Sequence, residues 1–161
     1  MFNILEQNTG ARLKGKRIIK RWINNVLKER GLALGEVNVL FCTDPEILQI
    51  NKESLNHSYY TDIITFDYRI ENIVSGDLFV SLDTIKANSE DYRQMYPQKF
   101  ECELCRVIVH GILHICGEDD HTPYQQKRMR SAENRALKML KENFLNGDIK
   151  ISYRPKNQQN G

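Results

Sequence analysis

Apolar residues recur at helical spacing between Lys16 and Arg30, where Ile18, Ile19, Trp22, Ile23, Val26 and Leu27 alternate with bases and Gly31 follows. That pattern predicts an amphipathic helix closed by glycine. Val37 to Cys42 is a β-rich apolar run. Thr43-Asp44 before Pro45 and Glu46 then supplies a cap and a proline at a helix start, so a strand leads into a helix over Pro45 to Leu55. Asp62 to Tyr68 and Asp77 to Leu82 read as two more strands joined by a polar linker that contains Gly76. Asp83-Thr84 opens a helix carrying Ile85 and Ala87.

After Pro97 the pattern from Phe100 to Cys116 is helical, and Gly117 stops it. Thr122-Pro123 starts a long last helix with Met129, Ala132, Ala136, Leu137, Leu140 and Phe144 along one stripe. The order predicts an α+β fold, a single domain over 1–149 with a mixed β-sheet and helices packed on it. A polar tail over 150–161 is expected to be disordered.

Composition narrows the class. With 161 residues and 40% apolar content, one domain can bury a core without cross-links. The start, MFNILEQNTG, is not an export signal and no apolar run reaches membrane-spanning length, so a cytoplasmic protein without membrane contact is expected. The four cysteines (Cys42, Cys102, Cys105, Cys116) are then expected to be reduced.

A net charge of +2 conceals a segregation of sign. Ala11 to Arg30 holds eight bases against Glu29, and Gln126 to Lys141 holds six against Glu133. Gly31 to Glu101 holds twelve acids and five bases. Two basic segments of this kind suit either solvated helix faces or a positive face toward a polyanion such as RNA.

Three of the four histidines fall within HGILHICGEDDH, residues 110–121. His110 and His114, four apart on a helix, project from one face and can offer two imidazole nitrogens to one zinc ion. Gly117 lets the chain turn back so that Asp120 or His121 becomes the third ligand. The fourth position is left to water, the arrangement of a catalytic site, with a zinc-bound water as nucleophile and no protein base assigned. A closed zinc finger using Cys102 and Cys105 is disfavoured, because Cys105 sits about 140° from His110 and about 180° from His114 around the helix. Glu103 falls on the histidine face and either shapes the site or is a surface carboxylate. An HExxH protease would carry its glutamate base after the first histidine, where this chain has Gly111. Metal-assisted hydrolysis follows, but not the bond cleaved.

The 110–121 segment is similar to the HGxLHLxGYDH signature of the YbeY family of single-strand endoribonucleases. Leu55-Asn56 followed by Thr61 to Phe66 resembles that family's LN…TDVLSF, and Gly76 to Ser81 resembles its GDIxIS. The resemblance covers Val37 to Leu140. It implies one zinc ion per chain in a cleft beneath a mixed sheet, and cleavage of ribosomal RNA in small-subunit 3′-end maturation and ribosome quality control. Ribosomal RNA and ribosome or small-subunit proteins would be the partners.

Two departures stand out. The family's third histidine falls at Asp120, with His121 one place on. Ungapped register favours Asp120, and zinc's preference for imidazole favours His121. An arginine expected between LN and TD is also absent. Its phosphate-holding role would pass to Arg69 or to bases near the first helix (Arg12, Lys16, Arg17, Lys20, Arg21), while Tyr59 and Tyr60 are candidates to stack on bases. The alternative to a nuclease is an RNA- or ribosome-binding assembly factor with a structural metal and negligible cleavage activity.

Overall fold

The computed structural model of the chain describes residues 1–7, 9–55, 61–91, 99–144 and 149–153. Two short strands open it, β1 (Phe2–Leu5) and β2 (Ala11–Lys14). Both alternate buried and solvent-facing positions, with Phe2, Ile4, Ala11 and Leu13 in the core. Neither was expected, since four residues give too short a pattern to stand out from a loop.

Helix α1 (Lys16–Glu29) follows the expected stripe, burying Ile19, Trp22, Ile23, Val26 and Leu27. It ends as its glycine dictates. Gly31 adopts φ 70°, and the Gly31 and Leu32 N–H groups donate to the Lys28 and Leu27 carbonyls at 3.0 and 2.9 Å. Strand β3 (Ala33–Cys42) then crosses the molecule. In helix α2 (Asp44–Leu55) the Thr43 hydroxyl accepts from Glu46 N–H, and the Glu46 carboxylate accepts from Thr43 N–H.

Strands β4 (Ile63–Asp67) and β5 (Ile73–Ser81) pair antiparallel, followed by α3 (Leu82–Ser89). Gly76, expected in a linker, lies inside β5, opposite Val37 on one side and Asp67 on the other. A Cβ there would stand 2.4 Å from the Phe66 carbonyl oxygen and 2.8 Å from Ile115 Cδ1, so the glycine marks a close approach within the sheet.

The main sheet has the order β1-β3-β5-β4, with β1, β3 and β5 parallel and β4 reversed. Helix α4 (Phe100–Ile115) lies on one face, where Gly111 sits against Ile63, Thr65 and Leu78. Any Cβ at Gly111 would come within 2.8 Å of Ile63 Cδ1 and 2.9 Å of Leu78 Cδ2. The other face of β4 and β5 is covered from α2 by Ile47, packed with Ile64 and flanked by Phe66 and Phe79.

Helix α5 (Pro123–Asn143) closes the α4 side. The indole N–H of buried Trp22 on α1 donates to the Ala136 carbonyl of α5 at 2.7 Å. The disorder expected over 150–161 does not hold for its first residues. Lys150–Tyr153 forms β6, antiparallel to β2, because Ile151 packs against the core and the open edge of β2 supplies backbone partners. Residues 154–161 lie outside the described set. The expected α+β single domain with a mixed sheet is the observed fold.

Candidate metal centre and its cleft

The end of α4 builds the site. Gly117 takes φ 103°, and the Gly117 and Glu118 N–H groups donate to the His114 and Leu113 carbonyls, each at 3.0 Å. This glycine-closed turn reverses the chain within three residues. Thr122 then begins α5 through a reciprocal capping box with Gln125. Gln125 Oε1 also accepts from His121 N–H at 3.1 Å, which fixes the segment between the two helices.

Asp120 is thereby carried under the histidine pair. His110 Nε2 and His114 Nε2 lie 3.0 Å apart, and Asp120 Oδ2 is 3.3 and 3.2 Å from them. Tetrahedral zinc with ligands at its usual bond lengths separates neighbouring ligand atoms by about 3.3 Å. The three atoms thus form one face of a tetrahedron of the right size, and two imidazoles with a carboxylate are a donor set that zinc accepts. His121 is exposed and stands outside this group. The geometry favours Asp120 over His121.

The orientation of His110 is set from α5. Its Nδ1–H donates to Glu133 Oε2 at 2.7 Å, leaving the Nε2 lone pair for a cation. Burial opposes charge on Glu133, but hydrogen bonds from His110 and Arg106 outweigh it and hold the carboxyl below its ordinary range. Burial likewise opposes the His110 imidazolium, but the Glu133 hydrogen bond and charge raise its pKa overall. Arg106 completes the chain of contacts, donating to Glu133 Oε1 and Asn134 Oδ1 at 2.9 Å each. The sequence assigned neither Glu133 nor Arg106 to the site, although Glu133 stands out as the lone acid of the basic run over Gln126 to Lys141.

A cleft of about 290 Å³ opens beside His110 and Asp120 between α4 and α5. Val107 and Met129 give it an apolar floor, and Asp62 and Glu103 line it as well. Burial pushes both of those carboxyls up. Glu103, open between two readings in the sequence, therefore belongs to the site wall.

The expected phosphate-holding bases are placed elsewhere. Arg12, Lys16, Arg17, Lys20 and Arg21 are exposed, and none lines the cleft. Lys16 pairs with Glu6, and Arg21 lies over the Phe144 ring. Arg69 is committed to backbone, donating to the Glu71 carbonyl at 2.7 Å and to the Ile115 carbonyl at the end of α4 at 3.3 Å. Amphipathic packing turns the bases of α1 outward from the helix's buried face, which is not the cleft side. Tyr59 and Tyr60 lie outside the described residues. Cys105 is buried with its thiol pushed up to about 12 by burial, and Cys102 is exposed, so the two do not form half of a metal site with the histidines.

A sequence profile of the family described as Endoribonuclease YbeY matches residues 3–141. The chain belongs to the YbeY family. The YbeY endoribonuclease of Bacteroides thetaiotaomicron is 50% identical over 124 residues, 77% of this chain and 88% of that protein. That of Parabacteroides distasonis is 46% identical over 127 residues, 79% and 87% of the two chains. The solution structure of TM1509 from Thermotoga maritima superposes with a TM-score of 0.62 at 25% identity, covering 87% of this chain and 89% of the other. YbeY relatives carry the name endoribonuclease, which places this chain in a hydrolase family. No helix among the described residues is long and apolar enough to cross a membrane.

Proposed function

We propose that this single domain is a zinc-dependent endoribonuclease that cuts single-stranded RNA in ribosomal RNA processing, with His110, His114 and Asp120 as the metal ligands. The observation that carries the reading is the tetrahedral face of three ligand atoms, oriented by buried Glu133 and open to the cleft. His110, His114 and Asp120 would hold a zinc ion, which when bound would supply Lewis-acid chemistry and lower the pKa of water toward neutrality. The chain's own residues do the rest. Glu133 holds the His110 ring and its Nδ1 proton in place, the hydrogen bonds from His110 and Arg106 keep Glu133 ionised, and Val107 with Met129 adds apolar surface to the cleft. Small-subunit 3′-end maturation, ribosome quality control with ribosomal protein partners, and a cytoplasmic location complete the proposal. They rest on family membership.

The test is cleavage of a single-stranded fragment from the 3′ end of small-subunit RNA by the zinc-loaded protein, by the chelated protein and by His114→Ala. Cleavage by the first alone, with the variant still folded by circular dichroism, is the expected result. Equal cleavage by all three sinks the nuclease reading. Loss of the fold with the metal favours a structural ion and an assembly factor. Asp120→Ala is expected to lose zinc stoichiometry while His121→Ala retains it, and the reverse overturns the ligand assignment.

A further inference from the structure

The charges around the cleft are unbalanced. Asp62, Glu103, Asp120 and Glu133 face it with only Arg106 and Arg130 as bases among the described residues. A polyanion entering here meets carboxylates on most sides, so where its phosphates rest depends on which cation still has donors to offer.

The two arginines differ in that respect. The Arg106 side chain is 11% exposed and uses one terminal nitrogen on Glu133 and the other on Asn134. That of Arg130 is 63% exposed. Its one ion pair among the described residues is with Glu133 Oε1 at 3.7 Å, beyond hydrogen-bond length and to an oxygen Arg106 already holds at 2.9 Å. Among the described residues, then, nothing takes up the donor fork of the Arg130 guanidinium at the mouth of the cleft. Gln126, one turn earlier on α5, lines the same edge and adds an amide donor.

We infer that Arg130 binds a backbone phosphate of the RNA strand through its guanidinium fork, with Gln126 beside it, and so anchors the strand next to His110 and Asp120. A planar fork matches phosphate oxygens in pairs, and the ion pair to Glu133 is too long to compete with it. The inference rests on the nuclease reading for its substrate, but the contact itself is a binding event.

Two measurements test it on the zinc-loaded full chain with a labelled single-stranded RNA: binding by anisotropy and cleavage, each from 50 to 300 mM salt. The salt range is chosen so that roughly one lost phosphate contact is resolvable. For Arg130→Ala the expected result is binding weaker by roughly tenfold or more. The slope of log affinity against log salt should become shallower by about 0.7, the value for one phosphate on a single strand. Zinc content should stay unchanged. Arg130→Lys should restore the slope but only part of the affinity, because a point charge cannot fork.

Binding by Arg130→Ala equal to wild type overturns the inference. So does weaker binding with an unchanged slope, or loss of zinc, since either means that Arg130 acts through Glu133. If wild type binds but does not cut, the nuclease reading falls while the slope still decides for or against Arg130. If wild type neither binds nor cuts, both fall.

Discussion

Helices α1 and α5 carry comparable runs of bases, and only one of them faces the cleft. On α1 the charge is a solvated coat over a deeply buried apolar stripe, with Lys16 paired to Glu6 and Arg21 laid over Phe144. On α5 the same kind of face contains one buried acid, Glu133, which reaches across to His110, and Arg130 one turn before it stands at the cleft edge. Charge density marks a wet face on each. What distinguishes them is the single residue whose burial has to be compensated.

The comparison is broken most severely on the α1 side by Trp22→Ala. It removes a fully buried indole and its hydrogen bond to Ala136, and is expected to cost about 3–5 kcal/mol in urea denaturation. Zinc stoichiometry should survive at temperatures where the variant folds. A loss below about 1 kcal/mol would mean that α1 is not held by this packing.

On the α5 side, Glu133→Ala frees the His110 ring and strands Arg106. Zinc affinity should fall roughly 10- to 100-fold in a chelator competition. Glu133→Gln should lose less, because the amide oxygen still accepts from Nδ1–H. Equal affinity in all three proteins would show that the His110 orientation does not depend on α5.

A smaller and graded effect comes from pH. Zinc takes His110 as neutral imidazole, and the proton to be displaced is held more tightly than at the ordinary 6.5. Zinc affinity should therefore begin to fall above pH 6.5 as the solution is acidified. In the metal-free protein the raised His110 value adds stability that is complete below 6.5 and lost as pH rises through the folded value. The lowered Glu133 value adds stability that is complete above 4.5 and lost as pH falls through its folded value. The excess in metal-free melting temperature over Glu133→Gln should peak between 4.5 and 6.5, because that difference isolates the pair from the other shifted carboxyls. A monotonic profile would contradict the pairing.

The smallest change is expected from Arg17→Ala with Lys20→Ala on α1. These side chains are exposed and away from the cleft, so cleavage at 0.15 M salt should shift by no more than about threefold. A loss as large as that of Arg130→Ala would reverse the contrast between the helices.

The parts legible in the sequence were those set by local signals. Gly31, Gly117 and the Thr122-Pro123-Gln125 start each close or open a helix through bonds spanning five residues or fewer. The His110–His114 pair follows from helix periodicity alone. Pairing across the chain was not legible. Strand β1 gains its meaning from Val37 to Leu40 and β6 from Ala11 to Lys14, partners that no window around either strand contains. Asp120 and His121 could not be separated until the Gly117 turn was seen to aim one of them. Glu133 stands 23 residues from the ring it orients, so only packing reveals it.

Gly111 closes a route that the motif itself leaves open. A glycine in place of a glutamate separates HGxxH from the HExxH of metalloproteases, and a Cβ at that glycine would stand within 3 Å of the side-chain tips of Ile63 on β4 and Leu78 on β5. Gly111→Glu would press a carboxylate between α4 and those apolar tips, which would have to give way and leave the charge in a buried contact. A proteolytic descendant of this scaffold would have to repack Ile63 and Leu78 beneath the helix before it could acquire its base there. The divide is thus held by the side chains that pack under the metal helix.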